Sequence, residues 1–120
     1  LVGVLDWELA TVGDPLMDLG SALAYWIDRE DEPHFASLRR QPSHLDGMPT
    51  RSEFVAKYLE LSGRKCDDFT FYEIFGLFRL AVIIQQIWGR YRAGQTSNPA
   101  FAGFGMGVTI LINRAQGLLS

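Results

Sequence analysis

The chain is poor in several things. It has one cysteine, Cys66, in 120 residues, so no internal disulfide can form, and that usage suits a reducing cytoplasm. It has no excess of positive charge: 11 Lys and Arg against 14 Asp and Glu give a formal net charge of -3. Without a basic field to draw in a phosphate backbone, nucleic acid is not expected as a partner. No charged-then-apolar leader stands at the N-terminus. Long unbroken apolar runs are missing too. The longest stretch, Phe69 to Trp88, is interrupted by Glu73, Arg79, Gln85 and Gln86, which favours a core helix over a membrane span. The two histidines, His34 and His44, stand in proline-flanked segments without metal-ligand spacing. They are expected on the surface.

What remains is ordinary globular material. Hydrophobic residues make up 48% and charged residues 21%, enough for the core of one domain. Leu1 to Leu5 is short, apolar and β-branched, and predicts a buried strand. Asp14 suits an N-cap and Pro15 the first helical position, where its missing N–H costs nothing. A helix is expected from there through Leu16, Leu19, Leu23 and Trp26. Asp28 to Pro33 and Arg39 to Pro49 read as irregular. Thr50-Arg51-Ser52-Glu53 fits a capping box, opening a helix with Phe54, Tyr58 and Leu61 on one side and Gly63 at its end. Asp67 or Asp68 caps a long helix reaching about Arg92 and stopping near Gly94. After a turn at Thr96 to Pro99, a last helix runs to about Leu118. The expected fold is mainly α, a short N-terminal β-strand followed by about four helices. A lone strand leaves its ladder groups unpaired, so either a partner strand lies in a longer parent chain or two copies pair as a homodimer through the exposed strand.

The most informative run is Gly3-Val4-Leu5-Asp6-Trp7-Glu8, followed by Gly13-Asp14-Pro15-Leu16-Met17-Asp18-Leu19. It sets one carboxylate at a strand end and a second one helical turn beyond Pro15. Strand-end acids suit a divalent metal beside a phosphate, because Mg²⁺ takes few, hard oxygen ligands from protein. This run resembles the aminoglycoside-phosphotransferase and choline-kinase-like family, whose members share the two-lobed protein-kinase architecture. The stretches Phe71-Tyr72-Glu73-Ile74-Phe75-Gly76-Leu77-Phe78-Arg79 and Gly94-Gln95-Thr96-Ser97-Asn98-Pro99 look like the branch associated with acyl-CoA dehydrogenases.

The resemblance implies that residues 1–120 are the C-terminal, helical lobe of such a phosphotransferase, with the N-lobe and the catalytic loop absent. It assigns Asp6 to the Mg²⁺ that bridges the ATP phosphates, with Trp7 and Glu8 where protein kinases carry Phe and Gly. It assigns Asp18 to bracing the catalytic loop, and leaves Asp14 structural. The implied parent reaction moves the γ-phosphate of ATP to a hydroxyl of a small-molecule acceptor, with an acyl-CoA-related acceptor favoured over an aminoglycoside. No catalytic base is expected in this stretch, and neither ATP nor Mg²⁺ is expected to bind it tightly. A non-catalytic helical interaction or dimerisation module is the alternative.

Other polar groups carry weaker signals. At 100° per residue, Arg79, Gln86 and Arg90 share one face of the long helix. Two roles suit that seam: lining an acceptor cleft, or pairing with acids elsewhere. The acidic run Asp28, Glu30, Asp31, Glu32 reads as solvated. The aromatic stripe Phe69, Tyr72, Phe75, Phe78 reads as core.

Overall fold

A computed structural model describes residues 1–120, the side chain of Leu9 excepted. The chain is mainly helical. Helix α1 spans Pro15–Leu23, α2 is a single turn at Pro33–Ala36, α3 spans Arg51–Ser62, α4 spans Thr70–Arg92 and α5 spans Phe104–Leu118. Short 3₁₀ turns stand at Trp7–Leu9 and Pro99–Phe101.

The expected N-terminal strand does not form. Leu1 to Leu5 carry no strand structure, and Leu1 and Val2 are fully exposed at 111% and 110%. The physical reason is the one that made a lone strand costly. A strand exists through a ladder of hydrogen bonds with a neighbour, and no described residue offers Leu1–Leu5 one. The dimer expected through that strand therefore has no strand to build on here.

The helix boundaries follow local chemistry. The Asp14 side chain accepts from Leu16 N at 2.9 Å and Pro15 opens α1. That helix ends at Leu23, earlier than the apolar period suggested, and Trp26 lies beyond it with its indole N–H donating to Pro49 O. The capping box at α3 is complete: Glu53 N donates to Thr50 Oγ1 at 3.2 Å, and Thr50 N donates to Glu53 Oε2 at 2.8 Å. Gly63 and Gly94 take the left-handed backbone that ends α3 and follows α4. Asp68 accepts from Thr70 N at 2.9 Å at the start of α4.

Helix α4 is the centre of the layer, packed by α1 on one side and α5 on the other. By length and composition it is apolar enough to cross a bilayer, and two of its small residues, Gly76 and Ala81, are buried. Gly20 of α1 and Gly76 of α4 meet backbone to backbone. A Cβ built on Gly76 would stand 2.0 Å from Gly20 O. Gly105 of α5 lies likewise against the Trp88 indole of α4, 2.8 Å from an added Cβ.

Two apolar clusters result. One joins Ala24, Ile27, Phe35, Leu77, Ala81, Leu111 and Ala115; the other joins Leu16, Leu19 and Leu23 with Phe54, Val55, Tyr58 and Leu59 of α3. Phe35 is the largest fully buried side chain, 1% exposed, although it belongs to the one-turn helix inside a stretch with no long periodicity. The aromatic stripe of α4 divides instead of forming core throughout. Phe69 and Tyr72 pack against the second cluster, while Phe78 is 56% exposed. Leu61, expected on the packed side of α3, faces solvent.

Candidate functional site

Asp6 sits at the start of the Trp7–Leu9 turn, with φ 70° and ψ 47°. It is the only non-glycine residue among those described with a positive φ. Left-handed backbone is open to aspartate at modest cost, because its short polar side chain tolerates it. The carboxylate is exposed and has no ion-pair or hydrogen-bond partner among the described residues. The neighbouring Trp7 indole donates to Val4 O at 2.8 Å, and Ala10 N donates to Trp7 O at 2.9 Å.

Asp14 joins this segment to the helices. Besides capping α1 it accepts from the Tyr72 hydroxyl of α4 at 2.7 Å. The Tyr72 hydroxyl and then Leu16 N–H hold its carboxyl below the usual range, and the same bond pushes the Tyr72 phenol up. Asp18 lies one turn further on, exposed in the first turn of α1, where the helix dipole favours an acid.

Arg79, Gln86 and Arg90 do share a face of α4, and all three are exposed. Neither arginine has an acidic partner among the described residues. The pairing instead falls to residues of less obvious placement. Arg51, the first residue of α3, grips Asp31 with two hydrogen bonds of 2.6 and 2.7 Å, and donates to Trp26 O at 2.9 Å. Its backbone N–H donates to Asp28 at 3.1 Å, and Glu73 of α4 lies 3.8 Å from its Nε. Arg114 of α5 completes the group, 3.3 Å from Asp31 and 3.8 Å from Glu73. Both guanidinium groups stack over the Phe35 ring, at 5.7 and 4.8 Å from its centroid.

Half of the acidic run expected in solvent is therefore structural. The Asp31 side chain is only 4% exposed. Burial pushes Asp31 up, but the paired Arg51 outweighs it and holds the carboxyl below the usual range. Burial also leads for Asp28, and there Arg51 only partly offsets it, so that carboxyl sits above the usual range. Burial alone would lower Arg51, and its three acids reverse the direction.

Two cavities flank these elements. One of about 480 Å³ opens between α3 and the α4–α5 pair, with Asp28, Arg51, Glu73 and Arg114 at its charged end. The other, about 380 Å³, is an apolar groove between α4 and α5, walled by Leu80, Ile84, Ile87 and Phe104, with Arg40 at its edge. None of Asp6, Asp18, Arg79, Gln86 and Arg90 lines either of them.

Among the described residues no three His, Cys, Asp or Glu side chains gather to hold a metal ion. Asp6 nevertheless suits Mg²⁺ in one specific mode. A free, solvent-facing carboxylate can be one hard-oxygen ligand for an ion whose other ligands are waters and nucleotide phosphates.

Comparison with known proteins shows what the chain is similar to. Residues 1–54 match the phosphotransferase enzyme family, the stretch that holds Asp6, Asp14 and Asp18. That match takes in less than half of the 120 residues. The chain is 37% identical to acyl-CoA dehydrogenase family member 10 of Mus musculus over 100 residues, 82% of this chain and 9% of that protein. It is 30% identical to a probable acyl-CoA dehydrogenase of Arabidopsis thaliana, over 81% of this chain and 12% of that protein. Acyl-CoA dehydrogenase family member 11 of Homo sapiens is also 30% identical, over 82% of this chain and 13% of its own length. The chain thus spans about a tenth of the curated relatives it matches. No solved structure matches it.

What the sequence did not reveal was the pairing of Arg51 and Arg114, the bond of the Tyr72 hydroxyl and the burial of Phe35. Arg51 follows the capping threonine directly, and the acidic run it binds lies 20 residues earlier. Neither fact reveals the pairing without the fold.

Proposed function

We propose that this chain is the C-terminal lobe of an ATP-dependent phosphotransferase that moves the γ-phosphate to a hydroxyl of a small-molecule acceptor. The observation that carries the reading is Asp6: an exposed, unpaired carboxylate on left-handed backbone, within the residues that match the phosphotransferase family. Backbone held in a sparsely used region at a polar residue points to function. Mg²⁺ with ATP supplies the transferable phosphoryl group and neutralises its charge when bound. Asp6 would be a protein ligand to that ion, and Asp18 would brace the catalytic loop from α1. In this reading that loop and the nucleotide-cradling lobe belong to the rest of the parent, and residues 1–120 alone do not transfer phosphate. The names of the relatives favour a hydroxylated acyl-CoA or a related metabolite as acceptor, with the seam of Arg79, Gln86 and Arg90 toward its anionic end. The parent would work in the cytoplasm, without nucleic acid or membrane as partner.

The test is phosphoryl transfer from ATP by the full-length parent across a panel of hydroxylated acyl-CoA compounds. Asp6→Asn is expected to cost roughly a hundredfold or more in kcat/KM while leaving stability unchanged, because Asp6 is exposed and unpaired. Retained transfer in that variant refutes the assignment. For the isolated chain, calorimetric binding of Mg-ATP tighter than roughly millimolar refutes the statement that it is inert.

A second reading is a non-catalytic interaction module. It is favoured by the apolar side chains that α4 leaves uncovered, Phe71 at 63% and Phe78 at 56% exposed. Sedimentation tests its self-associating form: a concentration-dependent dimer supports it, and a monomer at all concentrations refutes it.

A further inference from the structure

We infer that Tyr72 is a positioning residue for the Asp6-bearing segment, acting through its hydrogen bond to Asp14; the inference rests on the phosphotransferase reading above. Residues 1–8 and 10–14 are exposed, and the bonds within that stretch are local, Trp7 to Val4 and Ala10 to Trp7. Among the described residues, the hydrogen bond that ties this segment to a helix other than α1 is Tyr72 Oη to Asp14 Oδ2, across 58 residues of sequence. Asp14 is held from three directions. Its other carboxylate oxygen accepts from Leu16 N; Pro15 confines its backbone to extended values, here φ -72° and ψ 115°; and Tyr72 anchors its side chain to α4. Four residues later on α4, Gly76 clamps α1 itself against Gly20. The Tyr72 hydroxyl thus fixes the point from which the chain departs α1 toward Asp6, whereas the glycine contact fixes only the helix crossing. A carboxylate that must meet a metal on nucleotide phosphates gains from such an anchor, since supporting bonds behind a ligand set its aim.

Tyr72→Phe removes the hydroxyl and keeps the ring, which packs 5.4 Å from Phe69 and 5.3 Å from Phe71. The variant is made in the full-length parent and titrated with MnCl₂ in the presence of a non-hydrolysable ATP analogue, followed by electron paramagnetic resonance. Amide hydrogen exchange of residues 7–13 is read on the same samples. Tyr58→Phe, whose hydroxyl has no hydrogen bond among the described residues, is the control. The expected result is Mn²⁺ binding weakened by about threefold or more together with faster exchange over residues 7–13, neither seen in Tyr58→Phe. Anything less than both effects overturns the inference: a loss of thermal stability alone makes the bond merely structural. If the unaltered parent binds no Mn²⁺ with the analogue, the phosphotransferase reading itself fails, and the inference with it.

Discussion

Replacing Gly76 with alanine sets two effects of opposite sign against each other. On an isolated helix the change stabilises by about 1 kcal/mol, since alanine loses less backbone freedom. In this fold the new methyl would stand 2.0 Å from Gly20 O, 2.5 Å from Gly20 C and 3.0 Å from Ser21 N. These are backbone atoms, which no rotamer change can move. Restoring contact of about 3.5 Å requires α1 and α4 to part by more than an ångström. That separation opens the seam joining Leu16, Leu19 and Leu23 to α4, and it strains the Tyr72–Asp14 bond one turn away. Overpacking costs about 1–3 kcal/mol and sometimes more, and the loosened seam adds to it, so Gly76→Ala is expected to destabilise by about 2–4 kcal/mol net. At about 4 °C per kcal/mol for a chain of this size, the melting temperature falls by roughly 8–16 °C by circular dichroism or calorimetry. Gly89→Ala is the internal control, because an added Cβ there meets nothing within 4 Å. It is expected to raise stability by up to about 1 kcal/mol. If Gly76→Ala melts at or above the parent temperature, propensity has won and the close crossing is not a determinant of this fold.

Other outcomes follow from the charged group beneath Phe35 and from the loop beside it. Asp31→Asn leaves Arg51 and Arg114 without their most buried partner and is expected to cost about 3 kcal/mol by urea denaturation. Asp28→Asn keeps an acceptor for Arg51 N–H and relieves an acid that burial disfavours, so it should be neutral or mildly stabilising at pH 7. The two acids give opposite pH responses. Asp31, lowered from 3.8, contributes stability that is present above that value and lost as pH falls through its lower folded value. Asp28, raised from 3.8, takes up its proton first in the folded state, so stability gains as pH falls from its raised value towards 3.8. Their sum is a stability maximum on the acid side followed by a fall below about 3.8, and in Asp28→Asn the rise disappears; an unaltered rise in that variant refutes the assignment. Ser43→Ala removes a buried hydroxyl that accepts from Ile27 N at 3.1 Å and donates to Ile27 O at 2.8 Å. It should cost about 1–3 kcal/mol, measured by thermal melt; a change below about half a kcal/mol contradicts the buried-bond argument.

Much of the local structure was legible along the chain. The cap at Asp14 with Pro15, the capping box at Thr50 and Glu53, and the stops at Gly63 and Gly94 each rest on groups a few residues apart. Chemistry at that range survives any fold. The strand at Leu1–Leu5 was misread because apolar, β-branched composition states only a preference, whereas a ladder needs a neighbour. Solvation of Asp28 and Asp31, half of the acidic run, was misread for a related reason. Asp31 finds Arg51 and Arg114 at 20 and 83 residues' distance, and no local pattern encodes such a meeting. The polar seam of α4 was placed correctly on one face by helical period, but which face turns to solvent depends on where α1 and α5 settle.

The sequence by itself determined the caps that open α1 and α3, the glycines that end α3 and follow α4, and the placing of Asp6, Asp14 and Asp18 on one short stretch leading into α1. Tertiary structure alone decided that Gly20 meets Gly76, that Tyr72 holds Asp14, and that Arg51 and Arg114 share Asp31 over Phe35. Caps and turns are fixed by neighbours in the chain. Close crossings and buried ion pairs exist only once distant helices share the same few cubic ångströms.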